Sequence, residues 1–168
     1  MRLQCHQGVG MSSNWKDVLE VAVSIELECA ALYEVFANRF SARRELVYFW
    51  MNYAEAERYH AASIRIHQSS LAGMPEVGQQ AFDVEQDEAN RFLVEVRNAR
   101  QRSEREGVTI GEALRLARWA EESAAELHGR VQFFKVFPEF GDILQKMAEE
   151  DRTHRDMLAS AEKRWGAA

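Results

Sequence analysis

The chain has 168 residues, 46% of them hydrophobic, which is enough for one domain with its own core. It carries 21 Lys and Arg against 27 Asp and Glu, a net charge of −6 with no basic block, so nucleic acid and anionic membranes are not expected as partners. Two cysteines exclude a disulfide framework or a cysteine-built zinc site, and no apolar run approaches the ~20 residues of a membrane span. A cytoplasmic protein with reduced thiols at Cys5 and Cys29 is expected.

Residues 1–12 are expected to form a disordered tail, with Met11 a candidate true start, and 13–168 a single domain. Proline breaks helix interiors, and Pro75 and Pro138 leave long stretches free of it. Strand-like alternation is absent, so the predicted class is all-α. A first helix is predicted over about Asn14–Phe40, with Val18, Ala22, Cys29, Tyr33, Phe36 and Phe40 on one face and an N-cap from Ser12, Ser13 or Asn14. A second follows over about Ala42–Leu71, with Leu46, Trp50, Tyr53, Ile64 and Leu71 facing inward and Ser41 as its cap. Gly73, Pro75 and Gly78 then mark a connection. The charged stretch Asp83–Arg105 carries a thin stripe of Val84, Phe92, Val96 and Ala99 and reads as a surface helix within a long crossover (about 72–109). A third long helix is predicted from Ile110 to Phe134, where Thr109 and Glu112 form a capping-box pattern. A fourth runs from Pro138, suited to a first turn, to Trp165, with Gly166 just past its end. Each is ~40 Å long at 1.5 Å per residue, which suits a four-helix bundle of two hairpins.

The polar residues that interrupt these stripes point to chemistry. Glu26 lies on the apolar face of the first helix; Glu57 and His60 interrupt the second; Glu121, the third; Asp151 and His154, the fourth. Glu57-x-x-His60 and Asp151-x-x-His154 each put two metal-ligand types on adjacent turns of one face. The pattern is duplicated: Glu26 aligns with Glu121, Tyr33 with His128, and Glu57 and His60 with Asp151 and His154. Paired hairpins would bring all six candidate ligands to one centre. Four buried carboxylates repel one another and cannot stay ionised and unpaired in a dry core. Two divalent cations would cancel their charge, and an oxygen-rich set with one imidazole per metal favours iron or manganese. In this arrangement Glu57 and Asp151 bridge, Glu26 and Glu121 bind terminally, and Tyr33 and His128 support the ligands. His67 reads as core or rim.

Glu26 in IELECAALY, Glu57 and His60 in AEAERYHAA, Glu121 in AEESAAELH, and Asp151 and His154 in EEDRTHRDM resemble the ferritin-like di-iron carboxylate proteins, most closely the rubrerythrin-type branch. The resemblance implies a ferritin-like four-helix bundle and two iron ions (or manganese, or a mixed pair). It also implies an oxidoreductase acting on peroxide or oxygen. The sequence has no Cys-x-x-Cys pairs for a rubredoxin-like domain, so a separate electron-donor protein is implied; a homodimer is expected from the tryptophan supply. Two features depart from the family pattern. Ala124 stands where rubrerythrins carry a further glutamate, and Asp151 stands where glutamate is usual, with Glu150 as the fallback ligand. A ferroxidase or iron-handling protein is the main alternative, although the stretch between His60 and Glu121 is longer than in the iron-storing branch. The other is a non-catalytic helical scaffold.

Overall fold

The computed structural model describes residues 15–71, 83–130 and 138–166, apart from the side chains of 15, 70–71, 83–85, 126–130, 138–144 and 148. These residues form five α-helices and no strand: α1 (Trp15–Arg39), α2 (Arg44–Leu71), α3 (Asp83–Glu106), α4 (Ile110–Arg130) and α5 (Pro138–Trp165). The expected tail, the Gly73–Gly78 connection and the end of the third predicted helix beyond Arg130 lie outside the described residues.

Local signals explain the boundaries. Thr109 and Glu112 close the capping box: the Thr109 backbone N–H donates to Glu112 Oε2 at 2.8 Å and the Glu112 N–H to Thr109 Oγ1 at 3.2 Å. Gly107 ends α3 at φ 75°, a left-handed conformation that glycine adopts without strain. Ser41 does not cap α2. The helix begins three residues later, and Ser41 sits in the turn after α1, where Arg43 N–H donates to the Phe40 carbonyl at 2.8 Å.

Cross-helix pairs fix the helix directions. Glu20 meets Gln68 and Glu34 meets Arg58, so α1 and α2 are antiparallel. The Arg118 guanidinium grips both oxygens of Glu162, and a Cβ on Gly111 would meet the Gly166 carbonyl, so α4 and α5 are antiparallel. His60 meets Glu150 and Glu45 meets Arg164, which sets α2 against α5. Glu28 binds Arg97 and Arg100, and the Arg39 guanidinium lies over Gly107, so α3 runs alongside α1 in the same direction. The chain leaving α2 is thereby carried back along the molecule, and α4 starts at the end where α2 started.

Of the expected stripes, Trp50, Tyr33, Tyr53, Phe36, Leu46, Ile64, Leu114 and Leu158 are fully buried, Ala22 and Phe40 are half-buried, and Leu71 and Val84 lie outside the described side chains. α3 contributes more than its thin stripe suggested: Ala89 and Leu93 join Phe92 and Val96 in the buried cluster, and Ala99 is buried as well. Its opposite face keeps the charges expected of a surface helix. Replacing Thr109 by Ala removes the α4 cap, and urea unfolding should show a loss of about 1 kcal/mol.

Candidate metal centre

The four interrupting carboxylates are all inside the protein. Glu26, Glu57, Glu121 and Asp151 are 1%, 4%, 3% and 2% exposed, His60 is fully buried and the His154 side chain is 13% exposed. Helical spacing explains this: each sits a turn or two from buried apolar neighbours on its own helix, so the face that makes the core also carries the charge inward.

Two triads result. Glu26, Glu57 and His60 offer ligand atoms within 4.8 Å of one another, and so do Glu57, Glu121 and His154. Glu57 belongs to both. His60 turns Nδ1 toward Glu57 Oε2 (3.3 Å) and Glu26 Oε2 (3.6 Å). His154 turns Nδ1 toward Glu121 Oε2 (3.2 Å) and Glu57 Oε1 (3.8 Å). Each half thus takes one oxygen of Glu57, and the imidazole rings face each other with centroids 6.3 Å apart. Metal–oxygen and metal–nitrogen bonds of ~2.0–2.2 Å require ligand spacings only slightly tighter than these, within reach of small side-chain shifts. Carboxylate oxygens with one imidazole in each triad could hold a metal ion.

Groups behind the ligands hold them in place. The Tyr33 hydroxyl donates to Glu121 Oε1 at 2.7 Å, leaving Oε2 to face His154. The outer nitrogen of His60, Nε2, lies 2.8 Å from Glu150 Oε2. A carboxylate there fixes the ring so that Nδ1 points at the centre, the usual arrangement behind a metal-binding histidine. Glu150 therefore sits behind His60 rather than in either triad. Asp151 is buried on α5 but belongs to neither triad; its side chain is one methylene shorter than the glutamates'. His128 is a helical position of α4 whose side chain lies outside the described residues. His67 has Nδ1 2.7 Å from the Ser63 carbonyl on its own helix.

Tyr53 carries a role the sequence reading left in the apolar stripe. Its hydroxyl donates to the His154 carbonyl at 2.7 Å and its ring lies 4.7 Å from the imidazole. The available signal was its position four residues before Glu57, one turn away on the same face. Arg58 pairs with Glu34, Arg100 with Glu28 and Arg118 with Glu162. The chain matches no protein-family model, and no curated protein or solved structure is significantly similar to it.

Without cations the centre favours protons. Burial, reinforced by the Glu121 carboxylate, pushes the Glu57 carboxyl well above its usual range, against the opposing His60 hydrogen bond. Burial pulls His60 down, but hydrogen bonds and charge from Glu26 and Glu57 outweigh it and push the imidazole up to about 12. Burial and the Glu57, Glu26 and Glu121 charges likewise hold the Cys29 thiol protonated.

For both Glu57 and His60 the folded state binds the proton more tightly than the unfolded chain. On these two groups, metal-free protein should be most stable below the ordinary carboxyl value of 4.5, lose the Glu57 contribution as pH rises from there, and lose the His60 contribution between 6.5 and about 12. Thermal melts in chelator across that range check the slope. Binding needs these groups deprotonated, so loading with Fe(II) or Mn(II) should release protons, measurable as an enthalpy that varies with buffer ionisation.

Proposed function

We propose that this chain is a ferritin-like di-metal carboxylate protein of the rubrerythrin type, an oxidoreductase that acts on peroxide or oxygen with electrons from a separate donor protein. The observation that carries the reading is the position of Glu57, whose two oxygens face two different Glu–His pairs contributed by four helices. A buried carboxylate shared in this way is stabilised by a cation on each side and is costly without them. The helix directions agree with such a bundle, because α2 and α4 point the same way and α3 supplies the crossover.

In this reading Glu26, Glu57 and His60 would hold one metal ion, and Glu57, Glu121 and His154 would hold the other. When bound, the pair of ions supplies electron transfer and Lewis-acid activation of an O–O bond. The protein's own groups do the rest. Glu150 keeps His60 in the tautomer whose Nδ1 faces inward. Tyr33 occupies one oxygen of Glu121 and leaves the other as a terminal donor. Burial excludes bulk water from the reacting bond. Asp151, buried on α5 outside both triads, would be a further carboxylate available to the metal pair.

Metal analysis of anaerobically reconstituted protein should find about two iron or manganese ions per chain, and reductant-fed peroxide turnover should exceed that of free iron. Stoichiometric iron oxidation with mineral build-up would instead favour the iron-handling alternative, and a chain that cannot be loaded would leave a scaffold. Glu57→Ala should abolish tight binding at both positions, since one side chain serves both. Glu150→Ala should keep the ligand set but weaken binding by roughly 10–100-fold. Asp151→Glu restores the missing methylene and should tighten the weaker position; isothermal titration with Mn(II) reads all three variants.

A further inference from the structure

The aromatic side chains beside the centre form a continuous series that leads out of it. Tyr33 touches the site through its hydroxyl on Glu121. Its ring is stacked on Trp50 with centroids 6.0 Å apart, and Trp50 packs against Phe49 at 4.8 Å. Phe49 in turn packs against Trp165 at 5.3 Å. Tyr53 joins the series from the other half of the site, 4.7 Å from the His154 ring, 6.0 Å from Trp50 and 5.0 Å from Phe49. Phe49 and Trp165 then line a surface cleft of about 380 Å³, together with Met157 and Arg164.

A need for core volume alone would be met by aliphatic residues. Here the three rings nearest the centre are phenols and an indole, the side chains that give up an electron most readily, and their polar atoms are provided for unequally. Tyr33 has a carboxylate positioned to take its proton. Trp50 is fully buried, and its indole N–H meets no acceptor among the described residues. An indole radical cation formed there has nowhere to send its proton, so Trp50 suits a carrier that passes the charge on. Tyr53 donates only to a peptide carbonyl, a weak base.

We propose that Tyr33, Trp50 and Trp165, with Phe49 filling the gap between the indoles, form a one-electron relay between the carboxylate centre and the cleft. The proposal rests on the di-metal reading for its oxidant, a metal pair oxidised by peroxide or oxygen. One electron leaves Tyr33 for that centre and its phenolic proton moves to Glu121. One electron passes from Trp50 to the tyrosyl radical, and the proton returns from Glu121 to the phenolate oxygen. Trp165 then refills Trp50, and a one-electron reductant at the cleft refills Trp165. In a full cycle the reductant is oxidised by one electron, the metal centre is reduced by one, and the rings are unchanged.

The relay is tested without any metal by pulse radiolysis of the full-length chelated protein, using azide radicals, which oxidise indoles selectively. The expected result is a first-order decay of the indole radical into a tyrosyl radical, at a rate independent of protein concentration. Trp50→Phe should slow this step by an order of magnitude or more, whereas Trp119→Phe should leave it unchanged. Transfer at the native rate in Trp50→Phe overturns the proposal. If Trp50→Phe does not fold, Trp165→Phe, at the end of α5, carries the same expectation, and an unchanged rate there overturns it as well. In iron-loaded protein given peroxide and no reductant, peptide mapping should find oxidation on Trp165 and on Met157, which is 40% exposed. That oxidation should disappear in Trp50→Phe, and its persistence overturns the relay. Failure to load iron removes the proposed function without affecting the radiolysis result, so the two failures are distinguishable.

Discussion

Like charge buried at one point is the constraint on which this structure turns. Glu26, Glu57 and Glu121 come from three helices and meet there, Asp151 is buried on a fourth, and each is withdrawn from water. Isolated ionised carboxylates in such a setting cost several kcal/mol apiece, a large fraction of the 5–15 kcal/mol by which a domain of this kind is normally stable. Their burial needs positive charge among them. Without metal that charge comes from protons, on His60 and on the Glu57 carboxyl. In the proposed function it comes from two cations, and folding and metal binding then draw on the same free energy.

The helix arrangement follows from this requirement as much as from hydrophobic burial. The α1–α2 hairpin supplies one whole triad, Glu26, Glu57 and His60, and lends Glu57 to the other, for which α4 and α5 bring Glu121 and His154. Neither hairpin alone assembles both triads, because Glu57 must face the second hairpin. The contacts that hold the hairpins together cluster around the site, through Tyr33 to Glu121, Tyr53 to the His154 carbonyl and His60 to Glu150. α3 makes this pairing possible by returning the chain along α1, held there by Glu28 between Arg97 and Arg100.

Much of this was legible in the sequence because helical periodicity is a local property. A carboxylate that interrupts an apolar stripe must point where the stripe points, so the burial of Glu26, Glu57, Glu121 and Asp151 could be read from spacing alone, and so could the ends of α3, α4 and α5 set by Glu106–Gly107, Thr109, Pro138 and Gly166. What spacing does not encode is how far each helix is rotated and slid against its neighbours. The duplicated motif made Glu57 and Asp151 look equivalent, yet only Glu57 lies between both Glu–His pairs. The pattern Glu150-Asp151 offered two adjacent acids, and the rotation of α5 decides that the first meets the back of His60. The role of Tyr53 was hidden for the same reason: nothing local shows that its hydroxyl reaches a carbonyl on a helix a hundred residues away.

The two sides of the centre differ in kind. On the side toward the α1–α2 turn the carboxylates give way to Tyr33, Tyr53, Phe36, Phe49 and Trp50, a packed group of rings. Close packing there does more than add stability. Rings that interlock at 5–6 Å fix the rotamers of Tyr33 and Tyr53, and those two hydroxyls position Glu121 and the backbone of His154. Carboxylates and imidazoles grouped this closely need rigid support of this kind to keep their geometry. Oxidisable rings in that supporting position also mean that any strong oxidant generated at the centre meets phenol and indole before it meets the rest of the core. An aliphatic wall would hold the ligands as firmly but would offer a trapped oxidant no path outward. That difference is why, in the proposed function, the composition of this wall bears on electron transfer as well as on packing.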